Sequence, residues 1–209
     1  MKLLLPILVG IFGISFLTNP QLAGGWFWDL GNGLGFAAFA GMLYVAIIGS
    51  RPLGVRPHQS VSYTVLVMGA AHAFWFLLGD AAAVEYIRPG APIYMWAGVA
   101  SLILLCIVIT VSLPPDRQRV HSSHSVFKYW HQLLSVSAIA AGAYHIVGSG
   151  FYLSSWYQAL LLSLLALLTC FARPLWQRIV HPPFVGSVAY LAISVVLIVV
   201  FSTVRNFER

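Results

Sequence analysis

His131–His145 reads HQLLSVSAIAAGAYH, two histidines fourteen residues apart in a segment otherwise apolar enough to cross a membrane. At about 100° per residue, fourteen steps stop some 40° short of four turns, so both imidazoles leave nearly the same helix face, roughly 21 Å apart along the axis. That spacing suits two flat groups stacked along one helix. Residues 58–72 repeat it as HQSVSYTVLVMGAAH. Aligned without a gap, the two segments match at His, Gln, Ser, Gly, Ala and His.

Around these segments the chain of 209 residues is 60% hydrophobic and 8% charged, too apolar and too charge-poor for a soluble domain. An all-α integral membrane protein with several spans is expected, with membrane lipid as its surroundings. The formal net charge of +6 does not imply nucleic acid, because the basic residues sit in short loops between apolar runs, where topology accounts for them. Cys106 and Cys170 lie within hydrophobic runs and no CxxCH occurs, so neither a disulfide framework nor covalent c-type heme attachment is indicated. Both are expected to be packing residues.

Seven apolar runs approach or reach spanning length, about 2–18, 31–49, 58–79, 92–113, 126–148, 156–172 and 184–204. Backbone groups in lipid must be satisfied within their own segment, so each run is read as a helix. Asn19-Pro20, Gly24-Gly25, Arg56-Pro57, Pro89, Pro92, Pro114-Pro115, Gly148-Ser149-Gly150 and Pro182-Pro183 fall at their limits. The first run is read as a retained helix, with a signal peptide as the alternative. With the N-terminus inside, Lys2, Arg51, Arg56, Arg117, Arg119, Lys128, Arg173 and Arg178 are cytoplasmic, against Arg88, Arg205 and Arg209 outside. The third and fifth helices then run parallel, from inside to outside. Trp26, Phe27, Trp28, Tyr86, Phe151, Tyr152, Trp156 and Tyr157 are expected in outer loops at the headgroup boundary.

An ionisable side chain in a bilayer is costly, and a lone histidine there is readily explained as a neutral helix contact. Four, on two parallel helices with equal spacing, are harder to explain that way. Neutral imidazole ligates heme iron, and two from facing helices fill both axial positions and leave no site for oxygen. Depth pairs His58 with His131 and His72 with His145, giving two b-type hemes, or one at minimum, with irons roughly 20 Å apart. Gly69 and Gly142, each three residues before the outer histidine, would let the backbone approach a flat ring. Arg56, with Arg51, Arg117, Arg119 and Lys128, is in reach of inner propionates, and Arg88 is the candidate for the outer ones. Ser62 and Ser135, four residues after the inner histidines, could touch a heme edge or bond back to their helix. Trp75, Phe76 and Trp130 lie near the ligands but read as core. His121, His124 and His181 are expected at the surface, His124 in a Ser-rich helix N-cap. If His58 sat too close to the membrane edge to bind heme, the inner site would be rearranged or absent, with His124 the residue to disturb it.

The chain resembles the ferric-reductase-like transmembrane domain found in NADPH oxidases, ferric reductases and the bacterial heme subunit of the periplasmic methionine sulfoxide reductase system. The resemblance covers roughly residues 30–172. It rests on His72 in VMGAAHAFWFLLGD, Arg88-Pro89, Val108-Ile109-Thr110-Val111-Ser112, and Lys128-Tyr129-Trp130-His131 leading to Tyr144-His145. His58 is similar to the oxidases, whereas the sulfoxide-reductase subunit has arginine there. The resemblance implies a six-helix heme-binding bundle plus one additional transmembrane helix, divided into a first transmembrane helix and outer loop in 1–30, a heme-binding transmembrane core in 31–172, and the additional helix and tail in 173–209. No Gly-rich dinucleotide fingerprint or flavin domain follows the core. Electrons would therefore enter from and leave to separate donor and acceptor proteins or quinol, with a quinone or a partner's flavin as the candidate source.

The expected function is that of a b-type cytochrome subunit carrying single electrons across a bacterial inner membrane. Two alternatives are a terminal ferric or oxygen reductase at the outer face, and a heme-free transporter or assembly subunit whose histidines make helix contacts or relay protons. Against the relay, Asp80 and Glu85 both fall at the outer edge.

Overall fold

The computed structural model describes residues 3–15, 25–48, 55–113, 123–172, 176 and 185–207, and every regular element among them is helical. They are α1 (Leu4–Ser15), α2 (Gly25–Ile48), α3 (Val55–Gly79), a 3-10 segment (Ala81–Ile87), α4 (Ile93–Thr110), α5 (His124–Ser149), α6 (Trp156–Phe171) and α7 (Ser187–Phe207). Lys2, Arg51, Arg117, Arg119, His121, Arg173, Arg178, His181 and Arg209 lie outside the described residues, as do Asn19-Pro20, Gly24, Pro114-Pro115 and Pro182-Pro183.

Four helices, Gly25–Ile48, Arg56–Gly79, Ile93–Thr110 and Ser187–Phe207, are long and apolar enough to cross a membrane, which marks a membrane protein. Among the described residues, four of the seven expected spans pass on length and apolarity together. α1 and α6, with 12 and 16 residues, fall short of the ~20 that span a hydrocarbon core. α5 has 26 residues, but His131, Gln132, Ser135, Ser137 and His145 dilute its apolar character.

Local signals close the helices. Ser123 caps α5 by accepting a bond from the Val126 amide at 3.3 Å, and Gly150, at φ 64°, ends it in the left-handed conformation that glycine adopts without strain. Ser155 and Gln158 form a capping box on α6. α2 starts at Gly25, earlier than the apolar run that begins near residue 31, so Trp26, Phe27 and Trp28 belong to its first turns rather than to a loop.

α2 is the central helix: 61% of its apolar stretch is buried, against 17% for α3 and α4. It packs on α1, α3, α5, α6 and α7, while the main partner of α4 is α5. Two pairs result, α2 with α3 and α4 with α5. Among the described residues, no Cα of α3 comes within 8 Å of one on α5. The histidine-bearing helices therefore face each other across a gap.

The early start of α2 places Asp29 inside the bundle, fully buried. Its carboxylate accepts bonds from Arg205 Nε at 3.1 Å, Asn206 Nδ2 at 2.8 Å and the Tyr152 hydroxyl at 2.8 Å. The Arg205 guanidinium also lies 5.0 Å from the Tyr152 ring centre. This cluster ties α7 and the α5–α6 connection to α2, and explains why a charge is tolerated on an apolar helix. Farther along α2, the Tyr190 hydroxyl donates to the Ala37 carbonyl at 2.7 Å and the Val185 amide donates to the Tyr44 hydroxyl at 2.9 Å. Removing one member of the buried ion pair by Arg205→Leu is expected to cost about 3–5 kcal/mol, read as a lowered melting temperature of the purified protein. The double variant Asp29→Leu/Arg205→Leu should recover part of that loss.

Candidate cofactor site: two facing histidine pairs

The structure sets His58 against His131 and His72 against His145, with ring centroids 6.3 Å apart in both pairs and ring planes inclined by 54° and 71°. α3 and α5 therefore run in the same direction, and the fourteen-residue spacing brings both pairs into register. A direct N–H···N bond of about 2.9 Å would draw the ring centres to about 5 Å. Two imidazoles on opposite sides of one metal ion, each bonded at about 2.0–2.1 Å, have centres about 6.4 Å apart. The observed separation is longer than a direct bond between the two rings would give.

The second nitrogen of three rings is held by a neighbouring helix. His72 Nδ1 lies 2.9 Å from the Gly31 carbonyl of α2, and His145 Nδ1 lies 2.9 Å from the Tyr94 carbonyl of α4. A carbonyl only accepts, so each Nδ1 carries the proton and each Nε2 keeps its lone pair. His131 Nδ1 is 3.1 Å from the Ser112 hydroxyl, which itself donates to the Val108 carbonyl at 2.6 Å. With its proton so committed, Ser112 can only accept, and His131 takes the same tautomer. An imidazole that donates from one nitrogen to a carbonyl or hydroxyl and offers the other is the usual form of a metal ligand.

Each pair opens on a cavity, of about 460 Å³ at His58 and His131 and about 580 Å³ at His72 and His145. Both sizes fall within the range of cofactor pockets. Phe39, Phe76, Trp96 and Leu102 give the larger one flat apolar walls, and Tyr152 reaches it from the α5–α6 connection. Gln59, Ser62 and Gln132 make the smaller one more polar. Met42 on α2 and Leu105 on α4 line both cavities and so stand between them.

The other residues singled out in the sequence are placed differently. Gly69 and Gly142 line the larger cavity, but a Cβ on Gly69 would meet nothing nearer than Leu102 at 3.7 Å, an ordinary contact. Gly142 packs against the Ser101 hydroxyl of α4, which donates to the Ala138 carbonyl at 2.8 Å, so its closest approach is to a helix. Arg88 lines neither cavity and pairs on the surface with Glu85 at 2.7 Å. Arg56 is exposed in the first turn of α3 and lines neither cavity. Ser62 and Ser135 return their hydroxyls to the His58 and His131 carbonyls, at 2.8 and 2.7 Å. Phe76 packs edge-on against His72 with centroids 5.4 Å apart, and His124 packs on Phe127 at the exposed start of α5. Cys106 is exposed on α4 rather than packed, and Cys170 lines the smaller cavity.

Ser112 and the Gly31 and Tyr94 carbonyls were not legible as site groups. Ser112 enters the sequence reading only as the last residue of the Val108–Ser112 segment that carries the resemblance, with no role of its own, and a carbonyl has no residue-type signature. Among the described residues, no cluster of three or more His, Cys, Asp or Glu side chains could hold a metal ion.

No family model, curated protein or solved structure matches this chain. The support offered by Ser112 can be tested directly. Ser112→Ala leaves the His131 Nδ1 proton without its acceptor and is expected to cost about 1–3 kcal/mol in thermal unfolding. Ser62→Ala, which removes only a bond back to its own helix, should cost under about 0.5 kcal/mol.

Proposed function

We propose that the chain is a b-type cytochrome membrane subunit of the ferric-reductase-like kind. One heme b is held by His58 and His131 and a second by His72 and His145, and single electrons pass through them across the membrane to or from a separate partner. The observation that carries this reading is the equal 6.3 Å centroid spacing of two histidine pairs across a gap between α3 and α5. Heme would supply a one-electron couple there, with His58, His131, His72 and His145 as the residues that would hold it.

The protein's own residues do the rest. The Gly31 and Tyr94 carbonyls and the Ser112 hydroxyl hold His72, His145 and His131 as neutral ligands with Nε2 free to bind. A histidine on each side leaves no position for oxygen, which favours transfer over oxygen chemistry. Phe39, Phe76 and Leu102 present apolar surface to a ring and exclude water. Asp29, the fully buried carboxylate of the bundle, is engaged by Arg205, Asn206 and Tyr152, so it supplies no partner for a histidine proton relay.

α1 to α6 would form the six-helix bundle, with residues 31–172 as its heme-binding core and α7 as the additional helix. The reading puts the His58 and His131 end on the cytoplasmic side of a bacterial inner membrane, supported by the basic residues of the adjoining loops in the sequence. The donor in this reading is a quinol or a partner's flavin. Purified from heme-replete cells, the protein is expected to give a b-type reduced-minus-oxidised spectrum with two hemes per chain. His72→Ala should lose one of the two. A preparation with no b-type spectrum would overturn the reading.

A further inference from the structure

The carbonyls that hold His72 and His145 belong to Gly31 and Tyr94, and four residues after each stands a glycine, Gly35 on α2 and Gly98 on α4. In an α-helix the carbonyl of residue i−4 already accepts the amide of residue i, and the side chain at i stands over that bond. A second donor can use the carbonyl's other lone pair only if that side chain is out of the way. A Cβ on Gly35 would lie 2.8 Å from His72 Nδ1, and a Cβ on Gly98 would lie 2.8 Å from His145 Nδ1. The same relation recurs where no histidine is involved. Trp75 donates to the Phe27 carbonyl beneath Gly31, Tyr190 to Ala37 beneath Gly41, and Ser101 to Ala138 beneath Gly142. Five interhelical bonds in this bundle thus use a carbonyl opened by a glycine one turn later.

We infer that Gly35 and Gly98 are positioning residues: by opening the Gly31 and Tyr94 carbonyls they fix the tautomer and rotation of the His72 and His145 rings. This rests on the cytochrome reading, and adds that the two sites are supported unequally. Both ligands at the larger cavity are backed by backbone carbonyls, whereas His131 at the smaller one is backed by the Ser112 hydroxyl. Donation to a carbonyl makes an imidazole a stronger electron donor to its metal, which favours the oxidised metal and lowers the site's potential. Displacing His72 or His145 from its carbonyl therefore raises the potential of that site alone.

The test uses the full heme-loaded chain carrying Gly35→Ala or Gly98→Ala, with redox titration and electron paramagnetic resonance of the oxidised protein. Each variant should shift one of the two midpoint potentials upward and move the low-field resonance of one site, leaving the other unchanged. Gly33→Ala is the structural control, since its Cβ would press on Ile198 of α7 at 2.9 Å. It should lower the melting temperature and leave both potentials in place. Unchanged potentials and resonances in both Gly35→Ala and Gly98→Ala would overturn the inference. Should those variants fail to fold, nitrogen-15 spectra of histidine-labelled wild type decide the matter. Protonated, hydrogen-bonded Nδ1 in His72 and His145 supports it, and unprotonated Nδ1 overturns it. These spectra need no heme, so a wild type that binds none would remove the cytochrome reading while leaving the glycine support separately decided.

Discussion

A side-chain donor in a membrane bundle has no water to bond, and one that does not bond back to its own helix must find an acceptor on another. In a chain this poor in polar side chains the abundant acceptors are backbone carbonyls already engaged within helices. Trp75, His72, Tyr190, Ser101 and His145 all solve the problem the same way, reaching a carbonyl on a facing helix. Each such bond contributes only about 1 kcal/mol net, but leaving the donor unpaired costs more. The relative rotation of the helices is set accordingly.

From this constraint the site follows. α2 and α4 supply acceptors, and α3 and α5 carry His72 and His145, whose Nδ1 atoms are thereby tied back and whose rings face each other. α3 and α5 make no close backbone contact, so each pair of rings spans a slot with a cavity beside it. Asp29 obeys the same rule with charge: an acidic group on the central helix is stable there because α7 and Tyr152 bring it three donors. α7 thereby acquires a role, docking on α2 on the side away from α4.

Much of the site was legible because it is periodic. Equal spacing within HQSVSYTVLVMGAAH and HQLLSVSAIAAGAYH implies parallel helices and two facing pairs, and the structure brings together those four residues. The helix limits at Ser123, Gly150 and Pro92 were legible because caps and breakers act locally. What could not be read depends on partners distant in sequence. Asp29 looks like the end of an outer loop until Arg205, 176 residues away, neutralises it. Gly142 reads as room for a flat ring, but its neighbour is Ser101. Arg88 reads as a propionate partner because loops carry few cations, yet Glu85 lies one turn away and takes it. α5 passes for an apolar span by its Leu, Ala and Val content, while its histidines, serines and Gln132 keep it from reaching the apolarity of the other long helices.

The most direct measurement locates iron. Anomalous scattering at the iron edge from crystals of the purified protein should show two peaks, one between His58 and His131 and one between His72 and His145. Iron at neither position, or bound elsewhere on the chain, would contradict the assignment of these four histidines as heme ligands.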